Sequence, residues 1–271
     1  MYGLFYLFGA ASFFAVFLIT LLSPGYRRVA FWTALACAPA GAIGELWLIP
    51  GYWSPEYLVP LVSHPFRFGL EDLIITSAFA GICAAVFEYC ARQRGFTGVP
   101  PMSARTFLAM EGYGLIGCII MVFCIMFFNL TTIHSLFLSI SIVLFILVRS
   151  CIARALVMIP LAVTIAFCYM AYMIFSVSLV FPGVITMFWN LPGTWGVLLF
   201  GVPAEELVWA FLTAMYCGMI YRIAATTPFP FGRRFWMGIR SNAGGLKPAV
   251  IRENAPMTKS VRSLFETAGE Q

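Results

Sequence analysis

Charge is what this chain has least of. Only 10% of its 271 residues are Asp, Glu, Lys or Arg, while 62% are apolar, a balance that no soluble domain of this length carries. Lysine is nearly missing: Lys247 and Lys259, both beyond Tyr221, are the only two. That excludes a retinal Schiff base within the apolar part. Asp72 is the single aspartate, so there is no aspartate-rich DxxxD sequence for a magnesium–diphosphate site, which argues against a membrane prenyltransferase. No GxGxxG or Walker loop occurs, which leaves flavin and nucleotide use without support. The eight cysteines form no CxxC pair and no Cys/His cluster with ligand spacing. They read as small buried apolar residues, and neither a metal nor a cofactor is expected.

What the chain does have is apolar runs of about 20 residues, the length that crosses a bilayer. Seven are expected, near 4–22, 30–50, 69–90, 108–129, 133–148, 155–181 and 198–221. The first lacks the basic start of a signal peptide and is followed by Arg27 and Arg28, which predicts a retained span with its N-terminus outside. With that orientation only Arg67 of the 16 basic residues falls outside, as the positive-inside rule requires. Aromatic and proline clusters at Pro50-Gly51-Tyr52-Trp53 and from Trp189 to Trp195 suit the outer rim.

Beyond Tyr221 the composition turns basic, with Phe229, Phe231, Phe235 and Trp236 interleaved. Residues 226–271 are expected to form a cytoplasmic tail, either lying on anionic lipid or partly disordered. No motif suggests nucleic acid.

The acidic residues are few and placed oddly. Glu205 and Glu206 open the last apolar run in GVPAEELVWAFL. An ionisable group inside a membrane segment costs roughly 2.5–3.5 kcal/mol on insertion scales, so it is a functional candidate by default. Glu71 and Asp72 open the third run in the same manner, in FGLEDLIITSAFAG. Aligning the two pairs, with Pro50-Gly51 against Pro182-Gly183, predicts three-span repeats over about 1–92 and 133–225 joined by a linking span. Glu45 ends the second span on the same side, giving five candidate acids.

Helix-start chemistry is the plainer account, since Pro203 suits a first helical position and first-turn acids complement the helix dipole. It covers one acid per helix end better than two. Glu88 and Glu111, near Arg92, Arg94 and Arg105, read as interfacial ion pairs. Glu56, His64 and His134 read as loop residues. Trp47, Tyr52, Trp53, Trp195 and Trp209 read as belt or packing aromatics whose π faces suit a carbocation.

PAEELVW, Pro203 to Trp209, resembles the PxE(E/D)xxF signature of the membrane-embedded, flavin-independent lycopene cyclases. Gly44-Glu45 before Pro50-Gly51-Tyr52-Trp53 is similar to that family's acidic residue ahead of a glycine–aromatic loop. Trp209 stands where the signature has Phe, and Gly69 stands where the first repeat would carry proline.

The resemblance implies an all-α polytopic fold of two three-helix repeats plus a linking helix, with the C-terminus cytoplasmic. It implies cofactor-free, acid–base closure of terminal rings on a linear carotenoid or other prenyl lipid. Glu205, Glu206, Glu71, Asp72 and Glu45 would be catalytic, the Glu205/Glu206 pair as acid with Glu71, Asp72 or Glu45 as base or orienting partner, roles that are interchangeable within the set. Trp209, Trp53, Tyr52 and Pro203 would contact substrate. A bacterial inner membrane and a possible homo-oligomer are the expected setting. A cyclase of meroterpenoid precursors, and a proton-coupled transporter or carotenoid-binding protein, are the competing expectations.

Overall fold

The computed structural model describes residues 3–62, 67–96, 98, 100–149 and 152–226. His64 and the expected basic tail lie outside the described residues.

Among the described residues, seven helices are long and apolar enough to cross a membrane. They are α1 (Gly3–Leu21), α2 (Arg27–Leu48), α3 (Leu70–Gln93), α4 (Ala104–Phe128), α5 (Thr132–Arg149), α6 (Ile152–Tyr172) and α8 (Ala204–Thr226). A short α7 (Val184–Phe188) lies between the last two. The chain is a multi-pass membrane protein. Residues such as Ile19, Phe127, Phe145 and Leu179 are each more than 60% exposed, the apolar exterior that lipid rather than water selects.

Two helices form the centre. α3 and α8 are the most buried spans and pack on each other. α3 also carries α1 and α2, and α8 carries α5 and α6, while the outer members of each set scarcely touch. Small residues permit this closeness. At Gly41 a Cβ would stand 2.4 Å from the Thr76 side chain, so only glycine lets α2 and α3 approach there. α4 packs against α5, α2 and α8. It starts at Ser103, whose hydroxyl accepts the Thr106 N–H at 3.1 Å, satisfying one of the four open amides of a helix start.

The structure moves several boundaries. The last span starts at Ala204 rather than 198, because 198–203 form a hairpin instead of helix. β3 (Leu198–Leu199) pairs with β4 (Val202–Pro203) around Phe200-Gly201. Both turn residues have positive φ, 52° and 86°, which matches the twist of two-residue hairpins. A second hairpin, β1 (Pro60–Val62) with β2 (Phe68–Gly69), precedes α3. α5 runs two residues longer than expected, and α6 continues as a π-helical turn over Met173–Ser178. Not all cysteines are buried: Cys168 is exposed, and Cys90 and Cys118 are partly so.

Candidate active site

Each acidic pair sits directly after a hairpin, in the first turn of a central helix. The hairpins fold back alike: the Leu70 N–H donates to the Val59 carbonyl, and the Ala204 N–H to the Val197 carbonyl, both at 2.9 Å. Within each pair the two carboxylates divide their work. The first member holds loop backbone. One Glu71 oxygen accepts the N–H groups of Leu58 and Val59 at 2.9 and 3.0 Å, and Glu205 accepts that of Trp195. The other oxygen of each is buried and finds no partner among the described residues.

The second member faces aromatic donors. Asp72 accepts the Gly69 N–H at 2.8 Å and the Tyr6 hydroxyl. Glu206 collects three donors: the Tyr52 hydroxyl at 2.8 Å, the Trp189 indole N–H at 2.9 Å and the Tyr169 hydroxyl at 2.8 Å. Glu45, in the last turn of α2, accepts the Trp53 indole N–H at 2.8 Å. It borders the same cavity as Glu206.

Gly69 explains its own departure from proline. A Cβ there would meet Tyr57 at 2.3 Å and Glu71 at 2.6 Å. The hairpin can press its ring and carboxylate onto this point only because no side chain occupies it.

Burial makes these acids unusual. Glu71, Asp72 and Glu205 are at most 1% exposed, and Glu206 6%. Among the described residues no Lys, Arg or His lies within salt-bridge distance of any of the five; both ion pairs belong to Glu88. Neutral O–H and N–H donors therefore do the solvating, as buried carboxyls require. Tyr52, in the loop, has its hydroxyl pKa pushed far above the usual tyrosine range, first by burial and then by the adjacent Glu206. It stays a donor.

Two of the acids, Glu45 and Glu206, border a cavity of about 90 Å³ whose walls also include Tyr52, Trp53, Trp189 and Trp209. The π-helical turn presents Met173 and Val177 to it. Trp209 stacks on Phe79 with ring centroids 5.3 Å apart. A second, mostly apolar cavity of about 140 Å³ runs between α2, α4, α5 and α8. The two share Glu45, Leu48, Thr76 and Trp209 as wall.

The expected site residues thus separate. Glu206, Glu45, Tyr52, Trp53 and Trp209 line the cavity, Asp72 stands behind Tyr6, and Glu71 and Glu205 secure loops. Pro203 is buried in β4 and borders neither cavity. His134 bonds Thr131 and the Trp195 indole on the exposed rim. Glu88 pairs as expected, but with buried Arg222 as well as Arg92. Glu111 forms no ion pair among the described residues; one of its oxygens is buried without a partner. No motif in the sequence marks Tyr6 or Tyr169 as a site residue, and Trp189 has the sequence context of a rim aromatic. A tyrosine inside an apolar span is the available signal, since its hydroxyl must find a partner there.

No protein-family model, curated protein or solved structure matches the chain. Fold and site alone define its class: a seven-helix membrane protein with a cluster of buried carboxylates and aromatic donors at one end.

Proposed function

We propose that the protein is a cyclase that closes terminal rings on a linear carotenoid or a related prenyl polyene by proton-initiated, redox-neutral chemistry. The observation that carries this reading is the cavity walled by Glu45 and Glu206 among Tyr and Trp rings, with no cation among the described residues in an ion pair with either acid. Such a reaction needs an acid, a base, a water-poor pocket and π faces for a cation.

The donor count divides the roles. Glu45, with one donor, is assigned as the acid: its proton adds to the terminal alkene and leaves a tertiary cation. The next double bond attacks that cation and closes the six-membered ring. Glu206, whose three donors suit a negative charge, removes a ring proton and so places the alkene. One proton moving from Glu206 to Glu45 restores the starting state, and substrate and product are isomers. The apolar second cavity shares Glu45 and Trp209 with the first and gives the direction in which the rest of the substrate would extend.

The same reading takes α1–α3 and α5, α6 and α8 as repeats joined by α4, with the acid end outside. Its support is the matching hairpin before each acid pair and the matching use of the first acid on loop amides. The charge distribution supports the orientation.

The test is expression in a lycopene-accumulating bacterium followed by pigment analysis. Cyclic products are expected, and are expected to vanish in Glu45→Gln and Glu206→Gln at unchanged protein level. Unchanged lycopene alongside well-inserted wild-type protein would rule out the carotenoid reading.

A further inference from the structure

Away from the acids, at the opposite end of the helices, a polar cavity of about 330 Å³ opens between the α1–α2 turn, the start of α2, the end of α3 and α8. Arg27, Arg28 and Arg92 line it, with Pro24, Gly25 and Tyr221. Eighteen residues of α2 separate Arg27 from Glu45, a rise of about 27 Å. That is close to the thickness of a hydrocarbon core, so the cavity sits at headgroup level on the far face.

Among the described residues the charges there are not balanced. The nearby carboxylate, Glu88, is 1% exposed and fully committed: one oxygen takes the Arg92 Nε at 2.8 Å, the other the Arg222 Nη2 at 2.8 Å. Among the described residues, no carboxylate lies within 4.0 Å of Arg27 or Arg28. Arg92 is anchored through Nε, and its Nη1 lies against the turn, 3.5 Å from where a Gly25 Cβ would stand. The start of α2 has neither a first-turn acid nor a side-chain cap. Three arginines from two elements therefore line one cavity, and among the described residues their single nearby counter-charge is already shared.

We infer that this cavity is an anion site for a phosphate group, supplied by an anionic phospholipid headgroup or by free phosphate. Guanidinium forks match phosphate oxygens in pairs, and basic pockets between spans on one face are suited to lipid phosphates.

Native mass spectrometry of the full chain in detergent tests it, titrating phosphatidylglycerol, phosphatidylcholine and inorganic phosphate separately. One phosphatidylglycerol is expected to bind in preference to phosphatidylcholine, about tenfold more weakly in R27Q/R28Q. The charge-matched pair R105Q/R149Q should bind as wild type. Because Arg27 and Arg28 also bear on membrane orientation, Gly25→Glu gives a second variant. It keeps both arginines and places a carboxylate beside Arg92, and is expected to lose binding to a similar degree. Displacement of the lipid by inorganic phosphate would assign the site to free phosphate. Equal losses in both arginine pairs, binding unaffected by Gly25→Glu, or binding of neither phosphatidylglycerol nor phosphate would overturn the site.

Discussion

Trp53 and Trp189 meet across an antiparallel backbone bridge, with ring centroids 5.4 Å apart. Their indole protons go to different acids, Trp53 to Glu45 and Trp189 to Glu206. The loops after α2 and α6 are thereby locked to each other and to both cavity carboxyls at once. Shifting one loop moves both acids.

Tyr52→Phe and Trp189→Phe each remove one of the three donors to Glu206 while keeping most of the ring. A hydrogen bond to a charged group contributes about 1.5–3 kcal/mol. Cyclisation in isolated membranes is expected to slow roughly tenfold to a hundredfold, with little change in unfolding temperature.

The Tyr52 effect should not depend on pH. Burial and the neighbouring Glu206 raise its hydroxyl pKa, so the donating, neutral form persists below that raised value. An ordinary tyrosine would start to lose its proton near pH 10. The wild-type to Tyr52→Phe rate ratio is expected to be the same at pH 8 and pH 10.5, where an ordinary tyrosine would be mostly ionised; a ratio that collapses at pH 10.5 would contradict the assignment.

Glu205→Ala should behave unlike Glu206→Gln. It leaves the Trp195 N–H without its acceptor, an unsatisfied group costing about 1–3 kcal/mol. The expected result is a lower unfolding temperature with part of the activity retained. Glu206→Gln is expected to keep the fold and lose turnover.

At the other end, Arg222→Met breaks a pair in which both side chains are at most 6% exposed. Removing one partner of a buried pair costs roughly 3–5 kcal/mol, so yield and thermal stability should drop sharply. Arg92 is 41% exposed, and Arg92→Ala is expected to stay within about 1 kcal/mol.

Gly117→Leu tests the apolar cavity. A Cβ at this position meets only Val143, at 3.7 Å, so the larger side chain enters open space without displacing backbone. Protein yield should hold, while conversion of a long polyene falls relative to that of a shorter prenyl substrate. Equal conversion of both would separate this cavity from substrate binding.

Much of this was legible in the chain. Apolar runs bounded by Arg27-Arg28, Arg92 and Arg149 predict helices that the structure contains, because a span in lipid must satisfy its own backbone. The paired acids were visible as insertion costs without a nearby lysine. Less legible were the helix starts: 196–203 is as apolar as the helix after it, and only the positive φ values at Phe200 and Gly201 turn it into a hairpin. Proline-203 read as a helix start for the same reason.

By itself the sequence indicated seven helices long and apolar enough to cross a membrane and five acids at the ends of three of them, since burial cost and charge position follow from composition along the chain. It could not distinguish Glu205 from Glu206, because adjacent residues on a helix differ only in direction, about 100° apart. Tertiary structure decided that. It turned Glu71 and Glu205 toward loop amides and Glu206 toward the cavity, and it brought Tyr6, Tyr169 and Trp189 from distant segments to serve as donors. Those partners are set by helix packing, which no local pattern encodes.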